Sequence, residues 1–272
     1  MKRFKRVLLY TTAVVAAVPA VYPLFFLFLS SFKTSGEYIR NLWGLPGEFF
    51  LGNYQRVFSS RFLIYFKNSV VLSFVTLLIL IAVSSLASYV LSRIKFKLAK
   101  PLLTFFLMGM MIPVHATLIP VYVLTNRLGL YNNIWGLVGP YVAINIPISV
   151  FIMTTFFKTV YREIEESAFM DGCSHFQIYL RILLPISTPA IATVAIFNFL
   201  NIWNEFIYAL VLINSASSMT LPLGLREFYG REAVNVPGIL TAVFMSTLPM
   251  ILFFVFAQEK VIKSMVAGSV KG

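Results

Sequence analysis

Residues 68–91 read NSVVLSFVTLLILIAVSSLASYVL, 24 positions without one charged side chain. A bilayer's hydrocarbon core, about 30 Å thick, is crossed by about 20 predominantly apolar residues in a helix. The stretch predicts a transmembrane helix. Five more meet the same standard, at 7–32, 102–124, 134–157, 189–213 and 236–257. The expected fold class is an all-α membrane protein with six transmembrane helices, forming one transmembrane domain over 1–272.

Composition agrees. The chain has 272 residues, of which 59% are hydrophobic and only 12% charged; its mean hydropathy is +0.85. Soluble domains run near 45–50% apolar and about 25% charged, so this chain is too poor in charge to cover a water-facing surface. A single cysteine, Cys173, excludes an internal disulfide and any CxxC metal or redox motif. Disordered chains, disulfide scaffolds and secreted enzymes are excluded with it. The first apolar run follows Lys2-Arg3-Phe4-Lys5-Arg6, as in a signal peptide, but exceeds the roughly 7–15 residues of an h-region. It reads as a retained first helix.

The net charge of +12 reports topology rather than nucleic-acid affinity. Lys and Arg concentrate in cytoplasmic loops. Alternate loops here hold 14 and 8 of the 22 basic residues, and the dense clusters, the N-terminus and Arg93-Lys95-Lys97-Lys100, fall on the richer side. Both termini are placed in the cytoplasm.

The spans are not smooth. Pro113 and Pro120 stand seven apart in the third, Pro140 and Pro147 in the fourth. Proline removes a donor and kinks a helix, leaving carbonyls for neighbours or water to satisfy. Such kinks suit a moving path and also occur in purely structural spans.

The loop at 158–188 is unlike the others. It contains Glu163-Ile164-Glu165-Glu166-Ser167-Ala168-Phe169-Met170-Asp171-Gly172, then a second segment through Tyr179, Leu184 and Pro185. Acids crowd the first turn, where the helix dipole favours them, and Gly172 stands where a glycine ends a helix. A second short helix is expected to stop before Pro185 and Pro189. Small Ser167 and Ala168 permit close approach of a partner, while Phe169 and Met170 offer apolar area. The residues fit a docking knob or an amphipathic helix lying on headgroups.

The spacing Glu166-Ser167-Ala168, three residues, Gly172, nine residues, Ile182-Leu183-Leu184-Pro185 resembles the EAA signature of ATP-binding-cassette importer permeases, with Ser167 for the first alanine. Trp203-Asn204-Glu205-Phe206 and the closing Val266-Ala267-Gly268-Ser269-Val270-Lys271-Gly272 extend the likeness to the carbohydrate importers of the maltose type, and to their shorter, six-helix subunit. The resemblance implies a type I importer permease fold with cytoplasmic EAA coupling helices. It implies that Glu166, Ser167, Ala168, Asp171, Gly172, Leu184 and Pro185 couple to the motor, and that the C-terminal tail also approaches it. The implied partners are a second homologous permease, two ATPase subunits that bind ATP and Mg, a solute-binding protein, a sugar and the lipid bilayer. No nucleic acid is implied, and this chain binds no cofactor of its own. The implied location is a bacterial or archaeal cytoplasmic membrane. No G-x-x-x-x-G-K-[ST] phosphate loop occurs, so hydrolysis falls to another polypeptide.

In the fifth span Asn198, Asn201 and Glu205 fall on one stripe of an apolar helix. An ionisable group at depth costs roughly 2.5–3.5 kcal/mol on insertion scales and faces a cavity or a partner. The stripe fits a path for sugar hydroxyls, with Trp203 and Tyr208 nearby, or interhelical bonding to the second permease. His115 reads as a helix–helix donor, His175 as too remote to pair with it, and Met108, Met110 and Met111 as packing. The outer loop over 34–65, with Trp43, Leu45 and Pro46, is a candidate receiver for a solute-binding protein.

Other classes fit less well. An ion-coupled transporter places several ionisable groups in the membrane, whereas Glu205 is the only acid inside a predicted span. An intramembrane enzyme lacks its motifs here: no H-E-x-x-H and no G-x-S-x-G. A channel needs no docking helix. Within the importer class the solute stays open between sugars and a non-sugar such as glycerol phosphate.

Overall fold

The computed structural model describes residues 2–231 and 235–269, with side chains outside 2–5, 7, 227–231 and 259–269. Every regular element among the described residues is helical. Among the described residues four helices have the length and apolarity to cross a membrane: Leu8–Ser30, Phe62–Arg93, Ile134–Phe157 and Val236–Gln258. Two bent pairs bring the number to six if each is one span. The expected all-α membrane architecture is met.

The first of two compact units comprises 1–64 and 224–248. It contains α1 (Lys2–Ser30), α2 (Ser35–Arg40) and α3 (Gly52–Ser59). Its turn at 41–44 is organised by Lys33, which is only 1% exposed. The ammonium donates to the carbonyls of Asn41 at 2.7 Å, Leu42 at 3.2 Å and Gly44 at 2.6 Å. A buried charge is tolerated when hydrogen bonds replace its hydration, and here backbone carbonyls alone do so. Asn53 holds the same turn from below, donating to the carbonyls of Ser31 and Lys33 at 2.9 and 2.8 Å.

The second unit comprises 65–223 and 249–272. Most of α4 (Phe62–Arg93) lies here, followed by α5 (Ala99–Gly109), α6 (Val114–Arg127) and α7 (Val138–Phe157). The loop elements α8 (Arg162–Met170), α9 (His175–Ile178) and α10 (Leu184–Ile186) precede α11 (Thr188–Trp203) and α12 (Ile207–Leu212). The two last helices, α13 (Leu221–Arg231) and α14 (Val236–Ser269), run across both units. A core of Tyr89, Met153, Phe157, Tyr179, Leu183, Ala190 and Val194 joins α4, α7, the loop and α11.

The third span departs from the expected rod at 102–124. It is two helices, α5 and α6, bent by 96°. The chain tightens through i→i+3 bonds from Met110 to Leu107, Met111 to Met108 and Ile112 to Gly109, then Pro113 turns extended at φ −64, ψ 128. Proline lacks the N–H that would continue the ladder. Pro113 and Pro120 therefore do not share one helix. By contrast α7 stays continuous with Pro147 inside it.

The fifth span also differs. The backbone remains helical past Pro185 through a π-turn at Tyr179–Leu183 and ends at Ile186. It bends by 73° into α11, which stops at Trp203, before a break at 204–206 and α12. The second loop helix thus does not stop before Pro185. Pro185 has no N–H to give to the ladder, and the widened turn ahead of it carries the backbone on, with Leu184 donating to the Tyr179 carbonyl five residues back.

Met108, Met110 and Met111 are 59%, 51% and 81% exposed. Packing was expected of all three; within this chain Met110 lines the cleft at the bend between α5 and α6. His115 is also exposed. Trp43 and Leu45 are exposed and Pro46 is half-buried; Trp43 rests against Tyr22 and Phe26, with ring centroids 6.3 and 5.4 Å apart.

Candidate functional site

Two arrangements stand where the sequence directs attention. The first is the loop between α7 and α11. Tyr161 enters α8 in an extended conformation, and Glu163 and Glu165 occupy its first turn. The helix ends on Gly172 at φ +83, a left-handed conformation natural to glycine. The N–H of Gly172 bonds to the carbonyl of Phe169 and that of Cys173 to Ala168, both at 3.0 Å, a complete Schellman close. Ser174 then opens α9 with a capping box to Gln177.

α8 has two distinct faces. Glu165 and Ala168, three apart, are buried at 6% and 7% exposure, whereas Glu166, Ser167, Met170 and Asp171 are exposed. Glu165 pairs with Arg93 at the end of α4 at 2.7 Å. Arg93 also donates to the carbonyl of Val160 at 2.9 Å, and Arg162 reaches the Ser92 carbonyl at 3.4 Å. Burial pushes the Glu165 carboxyl above the ordinary carboxylate range, while Arg93, Arg162 and His175 draw it back. Of the residues singled out by the motif, Glu166, Ser167, Asp171, Gly172 and Pro185 face outward, Leu184 is half-buried, and Ala168 faces the chain's own core. The tail over 266–272 was a further candidate: 270–272 and the side chains of 266–269 lie outside the described residues.

Arg93 was legible only as one of a cluster of loop cations. The spacing Glu165/Ala168 on the inward side of a helix that otherwise exposes acids is the signal that could have assigned it a partner.

The second arrangement is the stripe on α11. Its partners stand on α7, where Tyr141, Asn145 and Ser149 recur every fourth residue and so share a face. Asn198, fully buried, donates to Ser149 Oγ at 2.9 Å. Asn201 donates to Asn145 Oδ1 at 3.3 Å. Tyr141 donates its hydroxyl to Glu205. Asn145 and Ser149 bond back along α7, to the carbonyls of Tyr141 at 2.8 Å and Asn145 at 2.7 Å. Asn198 and Asn201 of α11, with Glu205 in the break just beyond it, thus meet three residues of α7 in the same chain, a match that inspection of either segment alone does not reveal. Asn201 remains exposed, and Glu205 is half-buried.

Beside this ladder a cleft of about 320 Å³ opens at the bend between α5 and α6, lined by Met110, Ile112, Val121, Ile144 and Pro147, with a polar pair at its edge. That pair is Thr117 and Tyr208, whose hydroxyls are 2.6 Å apart. No group of three or more metal-ligating side chains occurs among the described residues.

Broken helices within a membrane domain are a recurrent feature of transport proteins. Residues 81–265 match the family described as binding-protein-dependent transport system inner membrane component, and the chain belongs to it. It is an inner-membrane component of the ATP-binding-cassette type, as the EAA spacing implied. A putative ABC transporter permease protein of Caldicellulosiruptor sp. (strain Rt8B.4) is 42% identical over 100% of this chain and 98% of its own length. A trehalose/maltose transport system permease protein of Thermococcus litoralis is 30% identical over 98% of each. The fold matches a chain of a bacterial ABC transporter involved in import of the acidic polysaccharide alginate, with TM-score 0.75 at 22% identity, covering 94% of this chain and 96% of that one.

Proposed function

We propose that this chain is one of two permease subunits of an ATP-driven carbohydrate importer, and that it takes its motion from the motor through α8. The observation that carries the reading is the division of α8: its Glu165/Ala168 face is held by its own chain, while Glu166, Ser167, Met170 and Asp171 point away. A helix anchored on one side and exposed on the other can move with the membrane domain while seated in a partner. Phe169 and Met170, 40% and 88% exposed, supply the apolar area that such a seat would cover. Gly172 and Leu184–Pro185 shape the two ends of the lever.

The remaining subunits follow from this division of labour. Two ATPase subunits bind ATP and Mg and close on each other; a second permease completes the path; a solute-binding protein delivers a sugar from outside. Both termini, α8 and the basic 93–100 turn lie on the cytoplasmic side of a bacterial or archaeal membrane, where the basic excess places them. Substrate class rests on the sugar transport named for relatives. Asn201, the exposed middle rung of the ladder, is the member of the stripe best placed to meet a sugar hydroxyl, and Asn198 and Glu205 hold the wall on either side of it.

The test is uptake by the complete transporter in proteoliposomes supplied with ATP, using radiolabelled maltose, trehalose and diacetylchitobiose as probes with the cognate binding protein. ATP-dependent, vanadate-sensitive uptake of one of them is expected. Uptake that ignores vanadate and follows a proton or sodium gradient overturns the reading.

A further inference from the structure

Three residues on one face of α4 each grip a different element of the loop. Ser85, Tyr89 and Arg93 recur at four-residue intervals and so stack along one side of the helix. Ser85 Oγ lies 2.8 Å from the hydroxyl of Tyr179 in the π-turn. The Tyr89 hydroxyl lies 3.1 Å from Nδ1 of His175 in α9. Arg93 pairs with Glu165 in α8 at 2.7 Å. Ser85, Tyr89, Tyr179 and the Arg93–Glu165 pair are all buried within this chain alone, and the Tyr89 and Tyr179 rings pack 5.4 Å apart.

The covalent route out of the loop is less direct. The chain leaves α10 for α11 through a 73° bend at Ser187, a buried residue whose hydroxyl donates to the Leu183 carbonyl at 2.7 Å. To that route the hydrogen-bonded seam adds a side-chain connection between α4 and the loop across three successive turns.

We propose that Ser85, Tyr89 and Arg93 are the positioning residues through which the loop's motion enters the membrane domain, so that α4 and α8 travel as one body. The inference rests on the coupling reading above and adds the helix that receives the motion. Arg93 is its keystone, because a buried ion pair broken on one side leaves an uncompensated charge.

The experiment follows the separation of α4 and α8 in the complete transporter. Nitroxide labels are placed at Leu86→Cys and Ile164→Cys, both on exposed positions, in a Cys173→Ser background, and their distance is measured by pulsed EPR before and after trapping with ATP and vanadate. With the seam intact the distance stays the same on trapping. With Arg93→Met it shifts by at least roughly 2 Å, the scale of helix displacements in such transitions, and the reversed pair Arg93→Glu with Glu165→Arg restores constancy. A distance that shifts with the seam intact, or stays constant in Arg93→Met, overturns the proposal; a reversed pair that fails to restore constancy does so too. Failure of the coupling reading looks different: ATPase subunits then assemble normally with Met170→Glu whatever the labels report.

Discussion

Glu205 accepts a hydrogen bond from the hydroxyl of Tyr141, and the same carboxylate accepts the backbone N–H of Tyr208 at 2.7 Å and of Ala209 at 3.3 Å. One acid thereby ties the break at 204–206 to α7 and caps the first turn of α12. Three donors offset the roughly 2.5–3.5 kcal/mol that a charge at depth costs on insertion scales. The break and the acid explain each other: the interrupted helix frees N–H groups, and the carboxylate gathers them.

This geometry predicts measurable coupling between the two side chains. Tyr141→Phe and Glu205→Gln, singly and together, should show a coupling energy of about 0.6 kcal/mol and up to about 1.7, the range seen for interhelical bonds in membranes. Thermal unfolding of the purified subunit in detergent reads it. Strict additivity of the two losses would mean that the bond contributes nothing.

Parts of this arrangement were legible in the sequence, and the gaps have physical causes. The stretch at 68–91 and the other long apolar runs announce spans because hydrocarbon thickness sets their length. Asn198, Asn201 and Glu205 announce a polar face because helical periodicity aligns them. What periodicity cannot supply is the partner. Tyr141, Asn145 and Ser149 sit among apolar neighbours in a helix that is buried on several sides, so no stripe stands out until α7 and α11 are side by side. Pro113 announced a kink but not its size, since an apolar run reads the same whether slightly kinked or folded by 96°. Proline marks where a helix can break, and Pro147, inside an unbroken α7, shows that it need not.

Lys33 gives a prediction of a different kind. Its ammonium is shared by three carbonyls within 3.2 Å, with no carboxylate among these acceptors. Lys33→Met should cost about 1.5–3 kcal/mol, the value of hydrogen bonds to a charged group, and should open the 41–44 turn to proteolysis. Lys33→Arg should not rescue it, because a planar fork cannot converge on three carbonyls as a compact ammonium does. Wild-type melting of Lys33→Met would refute this account.

Gly172 separates conformational from steric effects. A Cβ there would meet no atom within 4 Å, yet φ is +83. Gly172→Ala should therefore cost about 1–2 kcal/mol of backbone strain alone, and Gly172→Asn less, since asparagine tolerates the left-handed region. Transport by the assembled complex should fall in the order Gly172, Asn, Ala, Val. Equal activity across the series would show that the loop does not need its Schellman close.

Met170 tests the outward face of α8 without touching the inward one. It is 88% exposed at the last turn, so Met170→Glu should leave the subunit's melting temperature within about 0.5 kcal/mol equivalent of wild type, as for surface substitutions generally. Beside Glu166 and Asp171 the new carboxylate adds charge where an apolar contact is required. Burying it in a partner's cleft would carry an unpaired charge out of water. Co-purification of the ATPase subunits with the permease pair should drop accordingly, and Met170→Leu should retain them. The two substitutions differ in charge and hardly in fold, so a loss confined to Met170→Glu identifies the tip of α8 as covered in the assembly, while equal recovery with both leaves that face open to water.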